Sequence, residues 1–328
     1  MTEHDLSFPA MGSQFRLLIG DPLPGERRSP GEAAAMARDI VEELERRLSR
    51  FLPDSELCAL NADPRSEVPA SQLLRGAVSA GLWAARRTNG LIDPTLLTEI
   101  ELAGYRGSRV GAAPARLAEA LAKAPARHPA RAHPDSPWQA VEVDEQRGTI
   151  RRPPGVRFDT GGAGKGLTAD AIGQVLVGFS RFVVDCGGDL CVGGPDAAAN
   201  PYGIDVEHPL TRDRAHVIRL GSGGVATSGL NNRVWERGSG YAHHLLDPST
   251  GEPAWTGLVG ATAIGASALE ADTLAKAALL MGPAGARELL REQGGLIVGD
   301  DGEVELLGPL ARARTRVTAG ELRPMVAA

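Results

Sequence analysis

The amino-acid sequence predicts an α+β fold with mixed, largely antiparallel sheets and packed helices. Strand-like segments come in groups, with helical segments beside them, and do not follow the strict strand–helix alternation of a doubly wound sheet. The 328 residues include 41 Gly and 23 Pro, which indicates many turns and argues against a long helical bundle. Hydrophobic residues make up 42% of the chain, which is enough for a large core.

Two amphipathic helices are predicted near the N-terminus. The first spans residues 31–50 and carries an apolar residue at every fourth position, at Met36, Ile40, Leu44 and Leu48. Ser71 is a candidate cap for the second helix, which carries Leu74, Val78 and Leu82 and ends at Asn89-Gly90. Residues 51–57 between the two helices have turn chemistry and are expected to form a loop.

Strands and helices alternate less regularly over the rest of the chain. Residues 112–137 are rich in Ala, Pro and Arg, and predict a short helix near 115–123 within an exposed connector of about 107–137. Strands are expected at 141–143 and 150, paired as a hairpin, and at 181–186, 204–206, 216–220, 234–236 and 258–264. Helices are expected at 168–177, 268–281 and 283–292, before a closing hairpin over 296–306.

Composition and termini exclude several classes of protein. The net charge is −6 and no basic block is interleaved with aromatics, so we expect no nucleic-acid partner. No apolar run approaches the ~20 residues of a membrane helix, and residues 1–6 lack a signal-peptide pattern, so we expect no membrane insertion and a cytoplasmic location. Three cysteines without a Cys-x-x-Cys pair argue against a disulfide scaffold or a structural zinc site.

Residues 159–170 form the most informative motif, with four glycines and two alanines around a single lysine, Lys165. Exposed backbone N–H groups, a cation and a following helix together suit a phosphate or pyrophosphate. The spacing matches neither a Walker A loop nor a Gly-x-Gly-x-x-Gly loop. A glycine-rich strand-to-helix turn with a surface lysine is the alternative interpretation.

Other loops carry groups capable of chemistry, each with a structural alternative. Residues 225–229 offer two hydroxyls, or form a tight turn. His244 precedes an Asp-Pro turn and is either a general base, a phosphate ligand or a half-exposed hairpin histidine. Asp93 is a possible helix cap. Asp272 lies near the start of a helix, where a carboxylate serves the helix dipole or, more rarely, a Mg²⁺ ion.

In their order along the chain these blocks resemble the FAD:protein FMN transferase family, also called ApbE. The resemblance covers about residues 11–290 and rests on the blocks at 11–13, 51–61, 90–95, 161–170, 185–189, 226–229, 244–251 and 271–275. It implies one two-lobed domain over 1–328, with the connector near 107–137. It also implies a reaction: FMN passes from FAD to a Thr or Ser hydroxyl of a target protein as a phosphoester, AMP leaves, and Mg²⁺ assists.

The resemblance assigns roles to particular residues of this chain. His244 and Asp272 are the expected catalytic residues. FAD contacts are expected from Met11, Phe51, Leu91, Ile92, Asp93, Gly161, Lys165, Leu167, Asp170 and His244. The carbonyl oxygen of Gly164 and the carboxylate of Asp272 are the expected metal ligands, together with position 276.

Two positions depart from the pattern of the family. Phe51 stands where many members have Tyr, which keeps stacking without the hydroxyl. Lys276 stands where the family usually has a Thr metal ligand, and an ammonium has no acceptor for a metal. Three outcomes remain open: Mg²⁺ bound with altered geometry, Lys276 in place of a ligand, or FAD binding without efficient transfer. FAD pyrophosphatase activity, with water replacing the acceptor hydroxyl, is a further alternative.

Overall fold

Strands and helices occur throughout the residues that the computed structural model describes, which are 3–109, 111–312 and 325–327. The strands, in chain order, are β1 His4–Ala10, β2 Ser13–Ile19, β3 Glu67–Pro69, β4 Glu142–Asp144, β5 Thr149–Arg151, β6 Phe182–Cys186, β7 Asp189–Gly193, β8 Tyr202–Glu207, β9 Arg214–Leu220, β10 Gly223–Gly229, β11 Val234–Arg237, β12 Gly240–His243, β13 Leu246–Asp247, β14 Glu252–Pro253, β15 Leu258–Gly265, β16 Gly295–Gly299, β17 Val304–Leu307 and β18 Met325–Ala327. The α-helices are α1 Pro30–Leu48, α2 Glu56–Ala62, α3 Gln72–Arg87, α4 Leu97–Leu102, α5 Leu117–Lys123, α6 Gly164–Val175, α7 Pro195–Ala199, α8 Ala268–Leu289 and α9 Pro309–Arg312.

The largest sheet within these residues has eight strands in the order β1-β2-β6-β7-β10-β15-β16-β17. Every neighbouring pair in it is antiparallel. The smaller sheets are also antiparallel, except that β18 pairs with β8 in parallel. The predicted α+β class with largely antiparallel sheets is therefore confirmed.

The sheet is apolar on both faces, because each face packs against another layer. Successive residues of β2 divide between the two faces: Leu17 joins a core with α1 and α6, whereas Leu18 joins the core shared with β8 and β9. Val183 and Val184 of β6 divide in the same way. A strand buried on both faces reads as a continuous apolar run, which is why the strand at 181–186 is evident from sequence.

Helix α1 has the predicted extent but buries a different face. Its buried residues are Ala33, Ala34, Ala37, Val41, Leu44 and Leu48, whereas Met36 is 44% exposed. Residues spaced by exactly four positions move gradually around a helix that has 3.6 residues per turn, so they do not stay on one face. The buried residues instead follow alternating steps of three and four positions, which keeps them on one face. The alanines on this buried face allow α1 to approach the strands closely. Because their side chains are small, the face is not recognisable in the sequence as an apolar pattern.

Local capping sets the ends of the next two helices. The Ser71 hydroxyl accepts a hydrogen bond from the N–H of Leu74 at 3.2 Å, so α3 begins where the sequence predicts. Asn89 and Gly90 follow it with φ of 51° and 84°, the left-handed conformation that ends a helix. The predicted loop over 51–57 is partly wrong, because Ser55 caps α2 through the N–H of Cys58 at 3.1 Å.

Residues 225–229 do not form the tight turn that was one of their two interpretations, but most of strand β10, in the middle of the large sheet. The small residues have a packing reason, because α8 begins against this strand. A Cβ atom on Gly224 would lie 2.2 Å from the carbonyl oxygen of Ser267. The same composition that resembles a turn is thus required where a helix crosses a strand closely.

Helix α6 begins at Gly164, earlier than the predicted start at 168, so part of the glycine-rich motif is helical. Gly166 faces α8, and a Cβ atom there would lie 2.8 Å from the Cα atom of Leu269. In contrast, no atom lies within 4 Å of the position a Cβ would take on Gly162 or Gly164. The motif therefore serves two purposes, close helix packing at Gly166 and open backbone at its N-terminal end.

The segment 107–137 is mostly exposed but is tied to the rest of the fold. The N–H of Ala130 donates to the carbonyl oxygen of Leu280 at 2.8 Å, and Ala130 and Ser136 are buried. Residue 110 lies outside the described residues, as do residues 1–2, 313–324 and 328 of the predicted 1–328 domain. None of the helices in the described part of the chain combines the length and apolar composition of a membrane span.

Candidate functional site

A cavity of about 700 Å³ lies where α6, α8 and the large sheet meet the loops of the N-terminal half. Its volume falls in the range of small-molecule sites. Most of the predicted site residues line it, namely Met11, Phe51, Leu91, Ile92, Asp93, Gly161, Gly164, Lys165, His244, Asp272 and Lys276. The fold therefore brings together motifs that lie up to 265 positions apart, from Met11 to Lys276.

The N-terminus of α6 forms one wall of the cavity. Ala163 is its N-cap residue, and no side chain bonds the exposed N–H groups of the first turn. Three N–H groups at this end already have partners: that of Gly161 donates to Asp159 Oδ1 at 2.8 Å, and those of Ala163 and Gly164 donate to the carbonyl oxygen of Thr160 at 3.1 and 2.8 Å. The remaining N–H groups of the first turn and the positive end of the helix dipole favour an anion.

A cluster of two lysines and two aspartates adjoins the α6 N-terminus. Lys165 Nζ donates to the carbonyl oxygen of Gly187 at 2.9 Å and lies 3.5 Å from Asp189 Oδ2. Lys276 Nζ donates to Asp272 Oδ1, one turn away on α8. Both carboxylates are about 2% exposed at the side chain, so each depends on its lysine for charge compensation.

Burial raises the pKa of carboxyl groups in and beside this cluster. The pKa of Asp272 is raised by desolvation and by the charge of Asp189, while Lys276 and Lys165 oppose the shift. Burial also raises the pKa of Asp185 to about 6, against the N–H of Gly188, which donates to it at 2.8 Å. The cluster is a low-dielectric environment in which charges interact strongly.

His244 and its neighbour His243 have different environments. His243 is fully buried, with its ring edge-on to Trp255 at 4.7 Å between centroids, and belongs to the core. His244 lines the cavity and is partly exposed. Burial and the nearby Arg233 charge hold the pKa of His244 well below its usual value, so its imidazole is neutral at pH 7. A neutral imidazole is able to accept a proton.

The other end of the cavity is aromatic and apolar. Phe51 lies 5.6 Å from Tyr105 between ring centroids, and the Arg50 guanidinium lies 4.3 Å from the Phe51 centroid and 4.7 Å from that of Tyr105. Arg50 also pairs with Asp159, with 3.3 Å between Nε and Oδ2. This end offers flat, polarisable surfaces suited to a planar ring system.

Asp93 holds the local structure with both carboxylate oxygens. Oδ1 accepts from the N–H of Thr95 at 2.7 Å and from its hydroxyl at 2.5 Å, and Oδ2 accepts from the Ser136 hydroxyl. The predicted helix cap at Asp93 is therefore wrong, because α4 follows Leu96 without a side-chain cap and Asp93 closes a turn onto Thr95 instead. The same carboxylate anchors the segment 107–137 through Ser136. Leu91 and Ile92 beside it line the cavity wall.

Two predicted FAD contacts, Leu167 and Asp170, do not line the cavity. Leu167 packs against the apolar cluster under α1 and α3. Asp170 accepts hydrogen bonds from the N–H groups of Ala268 at 2.7 Å and Leu269 at 2.9 Å, and so caps α8. Their placement in the structure does not support direct contact with FAD, and Asp170 instead positions the helix that carries Asp272.

Thr227 supplies one of the two hydroxyls predicted at 225–229 and lines the cavity. Several further cavity residues received no individual role from the sequence, namely Arg50, Tyr105, Asp159, Asp189, Arg233 and Thr262. Asp189 was detectable, because an acidic residue directly follows the Gly187-Gly188 turn. Thr227 and Thr262 share a hydrogen bond of 2.9 Å between neighbouring strands. Tyr105 carries no local signal and reaches the cavity through tertiary packing alone.

Comparison with known proteins gives a consistent result. Residues 11–298 match the ApbE family. The chain is 29% identical to a FAD:protein FMN transferase of Klebsiella pneumoniae over 275 residues, covering 80% of this chain and 76% of that protein. It is 25% identical to a FAD:protein FMN transferase of Escherichia coli over 280 residues, covering 81% and 77%.

Solved structures share the fold. The ApbE protein from Thermotoga maritima superposes with a TM-score of 0.77 at 26% identity, covering 93% of this chain and 97% of that one. The flavinyl transferase ApbE of Pseudomonas stutzeri, in its apo form, gives a TM-score of 0.72 at 25% identity, covering 93% and 95%.

Proposed function

This chain belongs to the ApbE family, and we propose that it is a FAD:protein FMN transferase. It transfers FMN from FAD to a Thr or Ser hydroxyl of a target protein, as a phosphoester, and releases AMP. The observation that carries the proposal is one cavity that combines an uncapped helix N-terminus, two lysines and a neutral histidine. The curated relatives are named for the same activity.

FAD binding uses the two ends of the cavity. The pyrophosphate lies at the N-terminus of α6, where backbone N–H groups and the Lys165 ammonium neutralise its charge. A planar ring of FAD stacks against Phe51 at the aromatic end, with Met11 and Leu91 contributing apolar contacts. Asp93 supports this wall indirectly, because its carboxylate is occupied by Thr95 and Ser136.

The chemical step is an in-line displacement at phosphorus. The acceptor hydroxyl oxygen attacks the phosphorus on the FMN side of the pyrophosphate, and the P–O bond to the AMP phosphate breaks. His244 takes the proton of the attacking hydroxyl, since its imidazole is neutral before substrate binds. AMP carries away the bonding electron pair. Positioning and charge neutralisation supply most of the catalysis in such reactions.

Magnesium is the expected assistant, but the residues at the expected position do not fit a metal ion. The Asp272 carboxylate is paired with Lys276, and the carbonyl oxygen of Gly164 accepts from the Thr168 hydroxyl at 2.7 Å. Within the described residues no group of three or more His, Cys, Asp or Glu side chains is arranged to hold a metal. No step above therefore depends on a metal.

The test uses purified protein, FAD and an acceptor peptide with a flavinylation motif, in EDTA and in Mg²⁺. AMP release and the mass of the peptide are followed together, with His244→Ala as the matched variant. A mass gain equal to an FMN phosphoryl group with equimolar AMP supports the transferase. FAD bound but intact under both conditions supports a flavin-binding protein, and FMN and AMP released without a peptide adduct support a pyrophosphatase.

The remaining expectations stay predictions. These are the identity of the acceptor as a protein Thr or Ser, a cytoplasmic location, and the lack of a nucleic-acid partner. One domain over 1–328 is also proposed, since residues 11–298 match a single family.

A further inference from the structure

We propose that the ammonium of Lys276 acts as a built-in cation for the pyrophosphate, in the place that the family resemblance assigns to a metal ion. This inference rests on the proposed function, because it concerns how the same cavity binds FAD. It predicts that the chain binds FAD without a divalent cation at Asp272. The argument comes from the position of Lys276, from the oxygen atoms around it and from the use of lysine in this chain.

Lys276 occupies the position from which a metal would act. Its Nζ atom contacts Asp272 Oδ1, and both residues line the cavity. The side chains are 12% and 2% exposed, so the pair is held inside the protein. The i and i+4 positions on α8 direct both side chains to the same face. The positive charge therefore sits at the wall that the α6 N-terminus and Lys165 also form.

The oxygen atoms nearby leave little for a metal to bind. Lysine has no acceptor, and the carbonyl oxygen of Gly164 already accepts from the Thr168 hydroxyl, which leaves it one lone pair. Asp272 Oδ2 is buried and has no hydrogen-bond partner among the described residues. Since both oxygens belong to one carboxyl group, a Mg²⁺ ion at its usual ~2.1 Å from Oδ2 would share that group's single charge with the ammonium on Oδ1. Two cations would then compete for one carboxylate.

The composition of the chain shows that lysine is an unusual choice. Of its 35 basic residues, 32 are Arg and only three are Lys, at 123, 165 and 276. Two of these three lysines line the cavity. An ammonium is a compact point charge with freely rotating donors, whereas a guanidinium is a flat fork. The chain thus places two of its three compact cations at the site where a pyrophosphate needs them.

The experiment measures FAD binding and metal binding separately from turnover. Flavin fluorescence gives the dissociation constant for FAD in EDTA and in Mg²⁺, and electron paramagnetic resonance follows Mn²⁺ with and without FAD. The unaltered protein should bind FAD with the same affinity in both buffers, within about twofold, and hold no Mn²⁺ at this site. The Lys276→Thr variant should bind FAD at least about tenfold more weakly in EDTA and regain that affinity in Mg²⁺. It should also bind about one Mn²⁺ ion per chain.

Controls separate charge from structure. Lys123→Thr makes the same substitution at an exposed position outside the cavity and should change neither measurement. The double variant Asp272→Asn with Lys276→Met leaves no unpaired buried charge, and covers the case in which Lys276→Thr fails to fold. It should bind FAD more weakly in both buffers. Affinity equal to that of the unaltered protein would refute a role for the ammonium.

Failure of this inference is distinguishable from failure of the proposed function. Tightening of FAD binding by tenfold or more when Mg²⁺ is added to the unaltered protein, or one Mn²⁺ bound with FAD, would overturn the inference and leave the transferase intact. Metal-independent FAD binding without FMN transfer would uphold the inference and reject the transferase. Absence of FAD binding in every buffer would reject both.

Discussion

Substitution of Asp170 by Ala tests whether this residue stabilises α8 or contacts FAD. Its carboxylate accepts the N–H groups of Ala268 and Leu269 at 2.7 and 2.9 Å, at the start of the helix that carries Asp272. We expect Asp170→Ala to lower the stability of the protein, because two N–H groups at the start of α8 lose an ionised acceptor. The same change should leave FAD affinity nearly unaltered in the folded fraction.

The magnitude follows from the two hydrogen bonds and the helix dipole. Loss of a capping side chain costs about 0.5–2 kcal/mol, and a carboxylate at a helix N-terminus contributes a further ~0.3–1 kcal/mol. Because Asp170 is half-buried and serves two donors, we expect the upper part of that range, about 2–3 kcal/mol in the free energy of unfolding. For a chain of this size the melting temperature should fall by roughly 3–4 °C.

Urea denaturation of the unliganded protein gives the free energy of unfolding, and flavin fluorescence gives FAD affinity for the same preparation. Asp170→Asn should recover part of the loss, since the amide oxygen still accepts one hydrogen bond. Asp39→Ala, on the exposed face of α1, is the matched control. Unchanged stability together with a large loss of FAD affinity would refute the capping role and restore Asp170 as a FAD contact.

Three further predictions use other parts of the structure. His244→Ala should reduce the transfer rate by about 10²- to 10⁴-fold with FAD affinity retained, and an unaltered rate would remove this residue from the chemistry. Gly166→Ala should destabilise the protein by about 1–3 kcal/mol in urea denaturation, because its Cβ would press on α8, whereas Gly162→Ala should not. The raised pKa of Asp185, about 6 against 3.8, means that the folded state keeps a proton that the unfolded state loses. The contribution of Asp185 to the free energy of unfolding therefore falls as pH rises from about 4 to 6. Over that interval the Asp185→Asn variant should gain up to about 3 kcal/mol of unfolding free energy relative to the unaltered protein. A difference between the two proteins that stays constant with pH would contradict this prediction.

Elements governed by neighbouring residues were predictable from sequence. Ser71 caps α3, Asn89-Gly90 ends it, and the strand at 181–186 is apparent as a buried apolar run. The hairpin at 141–150 and the closing hairpin at 296–306 were also predicted correctly. In each case the deciding interaction lies within a few residues or depends on burial of the whole segment.

Elements governed by close packing were predicted less well. The alanine stripe of α1, strand β10 and the early start of α6 all involve small residues, which resemble turns or polar faces when read alone. Whether such a small residue lies in a turn or in a close contact depends on which other element packs against it. Gly224 and Gly166 are small because α8 lies against both, which no local pattern states.

The candidate site divides in the same way. The pairing of Asp272 with Lys276 follows from their spacing on one helix, and the pyrophosphate end follows from the glycines around Lys165. Asp189 as the partner of Lys165, Tyr105 beside Phe51 and Asp170 as a cap of α8 follow from contacts across the fold. A helix carries its own periodicity in the chain, but a contact between distant segments depends on how layers pack. The order of the motifs in the sequence therefore predicted the chemistry of the cavity. The hydrogen-bond or ion-pair partners of Asp170 and Asp189 were decided only by the packing of distant segments.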